Sequence, residues 1–111
     1  MPAANELYDE AIALQQAGRL DEAVGRLEAL VAEHPDYALG HAALSVFYGK
    51  LNRQDEAVAH AHKVCELEPD DSFSYMAMSL ICQRAGRLAE AEQALGQAME
   101  KQWAARRSTG P

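Results

Sequence analysis

Two histidines and two cysteines are the residues of this chain best suited to metal or redox chemistry. His60, His62 and Cys65 lie close together in the sequence, and Cys82 follows 17 residues after Cys65. His62 and Cys65 are three residues apart, so a helix would place them on one face. Two ligands on one face do not make a tetrahedral site, and no second cluster with ligand spacing occurs. A metal- or redox-responsive protein is therefore an alternative, while the main expectation is no bound metal and no cofactor.

Acidic pairs recur along the chain at Asp21-Glu22, Asp55-Glu56 and Asp70-Asp71. Negative charge at the start of a helix offsets the helix dipole, and Asp is a favoured N-cap residue. We therefore expect Asp21 and Asp55 to cap helices rather than to act as acids or bases. No nucleophile stands with a base and an orienting residue, and no glycine-rich phosphate loop is present. The sequence predicts that the protein is not an enzyme.

Length and composition favour one soluble helical domain. The chain has 111 residues, a net charge of −7 and few aromatic residues. Excess negative charge argues against nucleic acid as a partner, because phosphate binding depends on Lys and Arg. No apolar run approaches the roughly 20 residues that span a bilayer. Since the N-terminus lacks the basic and apolar segments of a secretory signal, we expect a cytoplasmic protein without a disulfide.

The charge changes sign along the chain. Residues 1–37 contain eight acidic and two basic residues, whereas residues 72–111 contain three acidic and five basic residues. Solvated helix faces explain such a distribution without any function. Alternatively, opposite charges at the two ends would favour end-to-end association or an oriented partner.

A pattern with a period of 34 residues organises the sequence. Gly18, Asn52 and Gly86 are each followed at once by Arg, then by Glu and Ala at the same offsets. Pro35 and Pro69 end the first two copies. Repetition at such a period is typical of stacked helical or strand-containing units that share one core.

Each copy predicts two helices around its turn residue. In the first copy, Leu7, Ala11 and Leu14 form an apolar stripe before Gly18, and a second stripe follows it. Proline then ends the second helix. We predict one all-α domain at 4–105 with repeats at about 4–37, 38–71 and 72–105. An extension at 1–3 precedes it and a disordered tail at 106–111 follows, with no clear C-terminal capping helix.

These units resemble the tetratricopeptide repeat family. The residues that carry the resemblance occupy equivalent places in the three copies: Leu7, Ala11, Leu14, Gly18, Ala23, Leu27, Leu30 and Pro35; His41, Leu44, Ser45, Tyr48, Asn52, Ala57, Ala61, Val64 and Pro69; and Tyr75, Met78, Ser79, Gly86, Ala91, Leu95 and Ala98. Glu10 stands where the family has Leu, and Cys82 where it has Tyr. The resemblance implies a right-handed α-solenoid of three helix-turn-helix repeats, six helices in all.

The resemblance also implies a non-catalytic protein whose first helices line a concave groove for peptides or partner helices. The groove-facing places here include Tyr8, Asp9 and Ile12; Leu39, Ala42, Ala43, Val46 and Lys50; and Phe73, Met76, Ala77, Leu80 and Arg84. Their apolar centre predicts a protein-interaction module for an apolar peptide or an amphipathic helix. Asp9 on one side and Lys50 and Arg84 on the other would orient the ligand.

One subset of the family clamps the C-terminal carboxylate of heat-shock chaperones with basic and amide side chains. The matching positions here are Asn5, Asp9, Ala43, Phe73 and Ala77, which lack the clamp residues. The resemblance therefore implies a protein that does not bind chaperone tails.

The last repeat predicts a second kind of contact. No polar helix follows it to shield Leu95, Met99 and Trp103, although solenoids usually end in such a helix. The alternative function is thus a homo-oligomeric scaffold, a homodimer or larger, that assembles through the groove or through this uncapped repeat.

Overall fold

Six helices joined by short turns form the part of the chain that the computed structural model describes, residues 3–109. The helices are α1 (Ala4–Gln16), α2 (Leu20–Glu33), α3 (Ala38–Lys50), α4 (Gln54–Leu67), α5 (Ser72–Arg84) and α6 (Leu88–Thr109). No strand occurs within residues 3–109. The chain is therefore an all-α solenoid of three helical hairpins. Of the predicted extension, Ala3 directly precedes α1, whereas Met1 and Pro2 lie outside the described residues.

The turn inside each hairpin has one left-handed residue. Gly18, Asn52 and Gly86 have φ values of 82°, 61° and 77°. Glycine adopts this conformation without strain, and Asn is among the few other residues that tolerate it. After each of them the next backbone N–H reaches back five residues, as in Arg19 N to Leu14 O at 2.9 Å. This Schellman motif satisfies carbonyl groups at the helix end and explains why the turn residue recurs.

The recurrent Arg and Glu of each unit pair across the start of the second helix. Arg19 donates to the Glu22 carboxylate at 2.7 Å, and Arg53 pairs with Glu56 in the same way. The predicted N-caps Asp21 and Asp55 are wrong, because α2 and α4 already begin at Leu20 and Gln54. The Asp21-Glu22 and Asp55-Glu56 pairs lie inside the first turn instead, where their charge still opposes the helix dipole. Asp71 is an N-cap, because its side chain accepts a hydrogen bond from the Phe73 N–H at the start of α5.

The last helix is longer than its counterparts. α2 and α4 stop before Pro35 and Pro69, whereas Trp103 occupies the third place and allows α6 to continue to Thr109. The prediction of disorder at 106–111 is therefore wrong for residues 106–109. Alanine and arginine at 104–107 are strong helix formers, which favours the continuation. Gly110 and Pro111 lie outside the described residues.

Each hairpin packs on the next to give two layers, with α1, α3 and α5 in one and α2, α4 and α6 in the other. α2 contacts α3, α4 contacts α5, and α3 also contacts α5 directly. Ala23, Ala57 and Ala91 are buried where the two helices of each hairpin cross. Small side chains there let the helix backbones approach closely. No helix within the described range combines the length and apolar character needed to cross a bilayer.

Candidate binding groove

Large apolar side chains lie on the solvent face of α3 and α5. Phe73 is 76% exposed, and four further side chains are about half exposed: Leu39, Val46, Met76 and Leu80. On α5 the spacing is three and four residues, and on α3 Leu39 and Val46 are seven residues apart, so on each helix they share one face. Because they occupy equivalent places 34 residues apart and α3 contacts α5, the two stripes run side by side. We call this surface, with its counterparts on α1, the groove face.

The α1 part of the groove face is less apolar. Tyr8 and Ile12 are partly buried and pack against the core, while Asp9 is exposed. The Tyr8 ring meets the Tyr37 ring edge-on, with centroids 6.0 Å apart. This contact links α1 to the start of α3. Burial raises the pKa of Tyr37, and Tyr8 and Asp9 add to the effect, so its hydroxyl stays protonated at neutral pH.

Small residues form the floor between the stripes. Ala77 is exposed and Ala42 is partly buried, so both leave open space between the larger side chains. Ala43, predicted to line the groove, is instead buried. It packs beneath the surface because α3 lies between α2 and α5, which leaves little room on that side of the helix. The groove face therefore consists of the predicted residues without Ala43.

A cleft of about 100 Å³ opens between α3 and α5 within the groove face. Its lining is mainly apolar and includes Val46, Leu80 and Ile81, with Ala77 between them. Arg84 stands at its rim. The cleft can admit an aliphatic or aromatic side chain, but it is too open to enclose a small-molecule substrate, which needs a deeper pocket.

Charged residues flank the apolar centre. Lys50 and Arg84 lie in the last turns of α3 and α5, and Asp9 lies on α1. Within residues 3–109, none of these three charges takes part in an ion pair. The Lys50 amine lies 5.7 Å from the Phe47 ring centroid. A ligand can therefore meet positive charge at one place on the groove face and negative charge at another.

A polar network holds the first hairpin against the second behind the groove face. His41 Nδ1 and His60 Nδ1 are 3.0 Å apart, and His41 Nε2 is 3.0 Å from the Pro35 carbonyl oxygen. Glu28 accepts from the Tyr48 hydroxyl at 2.9 Å and lies 3.2 Å from His60 Nε2. Burial, together with the Glu28 hydrogen bond, raises the pKa of Tyr48 to about 12. Sequence reasoning placed His41 in the core but did not predict its pairing with His60.

The thiols and histidines that suggested metal or redox chemistry do not form a site. Cys65 and Cys82 are free and buried, and burial raises the pKa of Cys65 to about 11. Within the described residues no group of three potential ligands could hold a metal ion. His62 pairs with Glu90 at 3.3 Å beside an open cleft of about 560 Å³ lined by residues of α4, α5 and α6. A thiol held protonated is a poor nucleophile and metal ligand.

The predicted self-association residues lie on the outer side of α6. Met99 and Trp103 are 62% and 60% exposed, and Leu95 is 44% exposed. Leu88, at 64%, shares their side of the helix and was not predicted. Its position seven residues before Leu95 is the sequence signal that could have identified it.

Comparisons with known proteins agree with this architecture. A family model described as Tetratricopeptide repeat matches residues 7–37. No curated protein matches the sequence. A crystal structure of MamA has 21% identity and a TM-score of 0.84, covering 95% of this chain and 61% of that chain. This chain thus spans about three fifths of the length of that protein.

Two other similar structures are of a peptide-bound domain and of a dimeric chaperone. The second tetratricopeptide domain of Spaghetti (RPAP3), bound to the HSP90 peptide SRMEEVD, has 20% identity and a TM-score of 0.76, covering 86% of this chain and 89% of that chain. The type III secretion translocator chaperone SycD of Yersinia enterocolitica, in an alternative dimer, has 20% identity and a TM-score of 0.77, with coverages of 88% and 74%. At these identities the likeness shows the fold.

Proposed function

Because the chain folds as three tetratricopeptide repeats, we propose that it is a non-catalytic protein-interaction module that binds an apolar peptide or an amphipathic helix along the groove face. One observation carries the proposal: two adjacent stripes contain five large apolar side chains that are between 47% and 76% exposed, namely Leu39, Val46, Phe73, Met76 and Leu80. Monomeric soluble proteins rarely expose contiguous apolar patches of this kind without a use for them.

The shape of the groove face favours a helix or an extended segment with bulky side chains. The cleft between Val46 and Leu80 accepts one such side chain, and the open space over Ala77 lets the ligand backbone approach. Met76 can adapt its shape to different ligands. An amphipathic helix presents side chains at intervals of three and four residues, which match neighbouring positions along these stripes.

The charges beside the apolar centre would select one orientation of the bound ligand along the groove face. A ligand with acidic residues at one end would place them near Lys50 and Arg84, and basic residues elsewhere would approach Asp9. Such complementarity chooses orientation and speeds association more than it adds affinity.

The groove face does not suit the acidic peptide bound by the Spaghetti (RPAP3) domain. Three of the last four residues of that peptide, SRMEEVD, are acidic. The positions that would clamp such a tail are here Asn5, Asp9, Ala43, Phe73 and Ala77, none of them basic. Asp9 would repel the carboxylates, so this peptide serves as a negative control.

The groove is tested with a displayed library of amphipathic helical peptides selected on the wild-type chain. We expect the selected peptides to bind a Met76→Glu, Leu80→Glu variant roughly tenfold to a hundredfold more weakly, because two buried contacts are replaced by unpaired charges. Fluorescence anisotropy measures the dissociation constants, and circular dichroism checks that the variant is folded.

The matched control is a Leu95→Glu, Met99→Glu variant, which alters two equally apolar and exposed side chains on α6. It should bind the selected peptides like the wild type, and SRMEEVD should bind none of the three proteins. A folded groove variant that retains wild-type affinity would exclude the groove face as the binding site.

A further inference from the structure

The outer side of α6 has the form of a docking site for a helix. In α2 and α4, the residues at the equivalent places are covered by the first helix of the next repeat. The Cys65 sulfur lies 3.9 Å from the Met78 sulfur of α5, and Val31 lies directly under Gly40 of α3. Met99 is the third residue of this series, 34 residues after Cys65, and it is 62% exposed.

The same difference in exposure between repeats occurs one helical turn before Met99. Leu27 and Ala61 are buried, while their counterpart Leu95 is 44% exposed. Because the packing of α3 on α2 and of α5 on α4 covers these places twice, Leu95 and Met99 belong to a kind of surface that receives a helix in the other two repeats. Trp103 extends this position by one turn in the place where the other repeats have proline.

The opposite end of the solenoid does not provide a matching surface. Leu44 and Met78 face the preceding repeat from α3 and α5 and are buried, and their counterpart in α1 is Glu10. Glu10 is exposed and lies 3.6 Å from Arg26 of the same hairpin. A second copy stacking head to tail would bury this carboxylate against Leu95 and Met99, which is costly. The two ends are therefore not complementary, despite the opposite signs of their net charge.

The outer side of α6 is instead complementary to itself. Leu95 and Trp103 lie four residues before and after Met99, so an antiparallel pair of α6 helices with its two-fold axis at Met99 places Leu95 of each copy against Trp103 of the other. Glu92 lies seven residues before Met99, and the last-turn arginines Arg106 and Arg107 lie seven and eight residues after it. The same axis therefore aligns opposite charges at both ends of the apolar contact.

We propose that Leu95, Met99 and Trp103 form a self-association surface that binds the same surface of a second copy in an antiparallel arrangement. This gives a closed dimer with an isologous interface. It leaves the groove face of both copies open, since that surface lies on α3 and α5. An interface formed by one helix from each copy is at the small end of specific interfaces, so we expect a reversible, concentration-dependent dimer.

Sedimentation equilibrium of the full chain from low micromolar to near-millimolar concentration tests the proposal. We expect a monomer–dimer equilibrium that weakens as salt is added, because part of the attraction is between exposed charges. Met99→Glu places two carboxylates together at the two-fold axis and should raise the dissociation constant more than about a hundredfold. Met76→Glu, an equivalent change in the groove face, should leave it unchanged.

A charge exchange tests the antiparallel register. Glu92→Arg or Arg107→Glu alone should weaken the dimer by roughly tenfold, since each occurs twice in the interface. The two changes combined should restore most of the wild-type affinity, which a merely structural effect would not do. Circular dichroism confirms that each variant is helical.

Three outcomes would overturn the proposal. They are a strict monomer at every concentration, open-ended oligomers larger than a dimer, and a dimer that Met76→Glu disrupts while Met99→Glu does not. Failure of the charge exchange to restore affinity would overturn the antiparallel register. Peptide binding by the groove face is measured separately by fluorescence anisotropy, so failure of the dimer proposal is distinguishable from failure of the groove proposal.

Discussion

At the scale of single residues, one glycine determines how closely α2 and α3 approach. A Cβ atom added at Gly40 would lie 2.8 Å from Val31 Cγ1 and 3.4 Å from the Tyr37 ring. Val31 is buried and stiff about its χ1 angle, so it cannot easily move aside. The groove face depends on this approach, because Gly40 lies in the first turn of the helix that carries Leu39.

We therefore expect Gly40→Ala to lower the free energy of unfolding by about 1–3 kcal/mol through overpacking. Gly25→Ala is the matched control, since Gly25 lies within α2 with nothing within 4 Å of an added Cβ. There the higher helix propensity of alanine should raise stability by up to about 1 kcal/mol. Urea denaturation followed by circular dichroism measures both. Equal effects of the two substitutions would contradict a close packing of α2 on α3 at Gly40.

At the scale of the elements, the sequence was sufficient to predict the six helices and their order. A Schellman motif needs a residue that tolerates positive φ, and Gly18, Asn52 and Gly86 supply one in each turn. Pro35 and Pro69 show in the sequence where two helices must end. The end of α6 was not predicted because the prediction relied on amphipathic pattern. Residues 104–107 continue the helix with high helix propensity but without an apolar stripe.

The sequence could predict which repeat positions line the groove, but not the exact exposure and contacts of every side chain there. The resemblance identified Leu39, Val46, Phe73 and Leu80, and these side chains are exposed. Whether Ala43 lies on the surface or beneath it depends on the angle between consecutive hairpins. The meeting of His41 with His60, 19 residues away, depends instead on how α3 packs on α4 within the second hairpin. No local pattern encodes either feature, because both result from the packing of whole helices against one another.

The polar network around His41 and His60 should make the free energy of unfolding depend on pH. Burial lowers the pKa of His60 below its ordinary value of about 6.5, and the neighbouring His41 adds to this effect while Glu28 opposes it. Glu56 also favours the charged form of His60, and Arg53 lies over the Tyr48 ring that stacks on it. The two Nδ1 atoms lie 3.0 Å apart, so a hydrogen bond between them requires a hydrogen on only one of the two nitrogens.

Because the unfolded chain then binds a proton more readily than the folded chain, stability is full above about pH 6.5 and falls as the pH drops below it. Urea denaturation between pH 7.5 and pH 5.5 measures this loss. A His60→Asn variant should show a flatter dependence over the same range, whereas His34→Asn, at an exposed helix end, should retain the wild-type slope. If the unfolding free energy of the His60→Asn variant changed with pH as steeply as that of the wild type, the polar network around His60 would be excluded as the origin of the pH dependence.

At the scale of the whole molecule, a linear stack predicts that stability differs along the chain. Within residues 3–109, each hairpin makes its main contacts with its neighbours in the stack, so α3 and α4 are supported on both sides, while α1 and α6 are each supported on one. The part of α6 beyond Trp103 extends past the ends reached by α2 and α4 and has exposed side chains through Arg107. Exposed helix ends open more readily than helix centres packed in a core.

Native-state hydrogen exchange measured on dilute, monomeric protein should therefore show the slowest exchange in α3 and α4 and the fastest in residues 104–109. The difference should correspond to a large part of the global free energy of unfolding, because the last two turns can open without disturbing the core. Raising the protein concentration should slow exchange selectively in α6, since the proposed dimer adds contacts there and nowhere else. If all six helices exchange at one common rate at low concentration, the three hairpins unfold as one cooperative unit. A stack of separable nearest-neighbour contacts would then be the wrong description of this molecule's energetics.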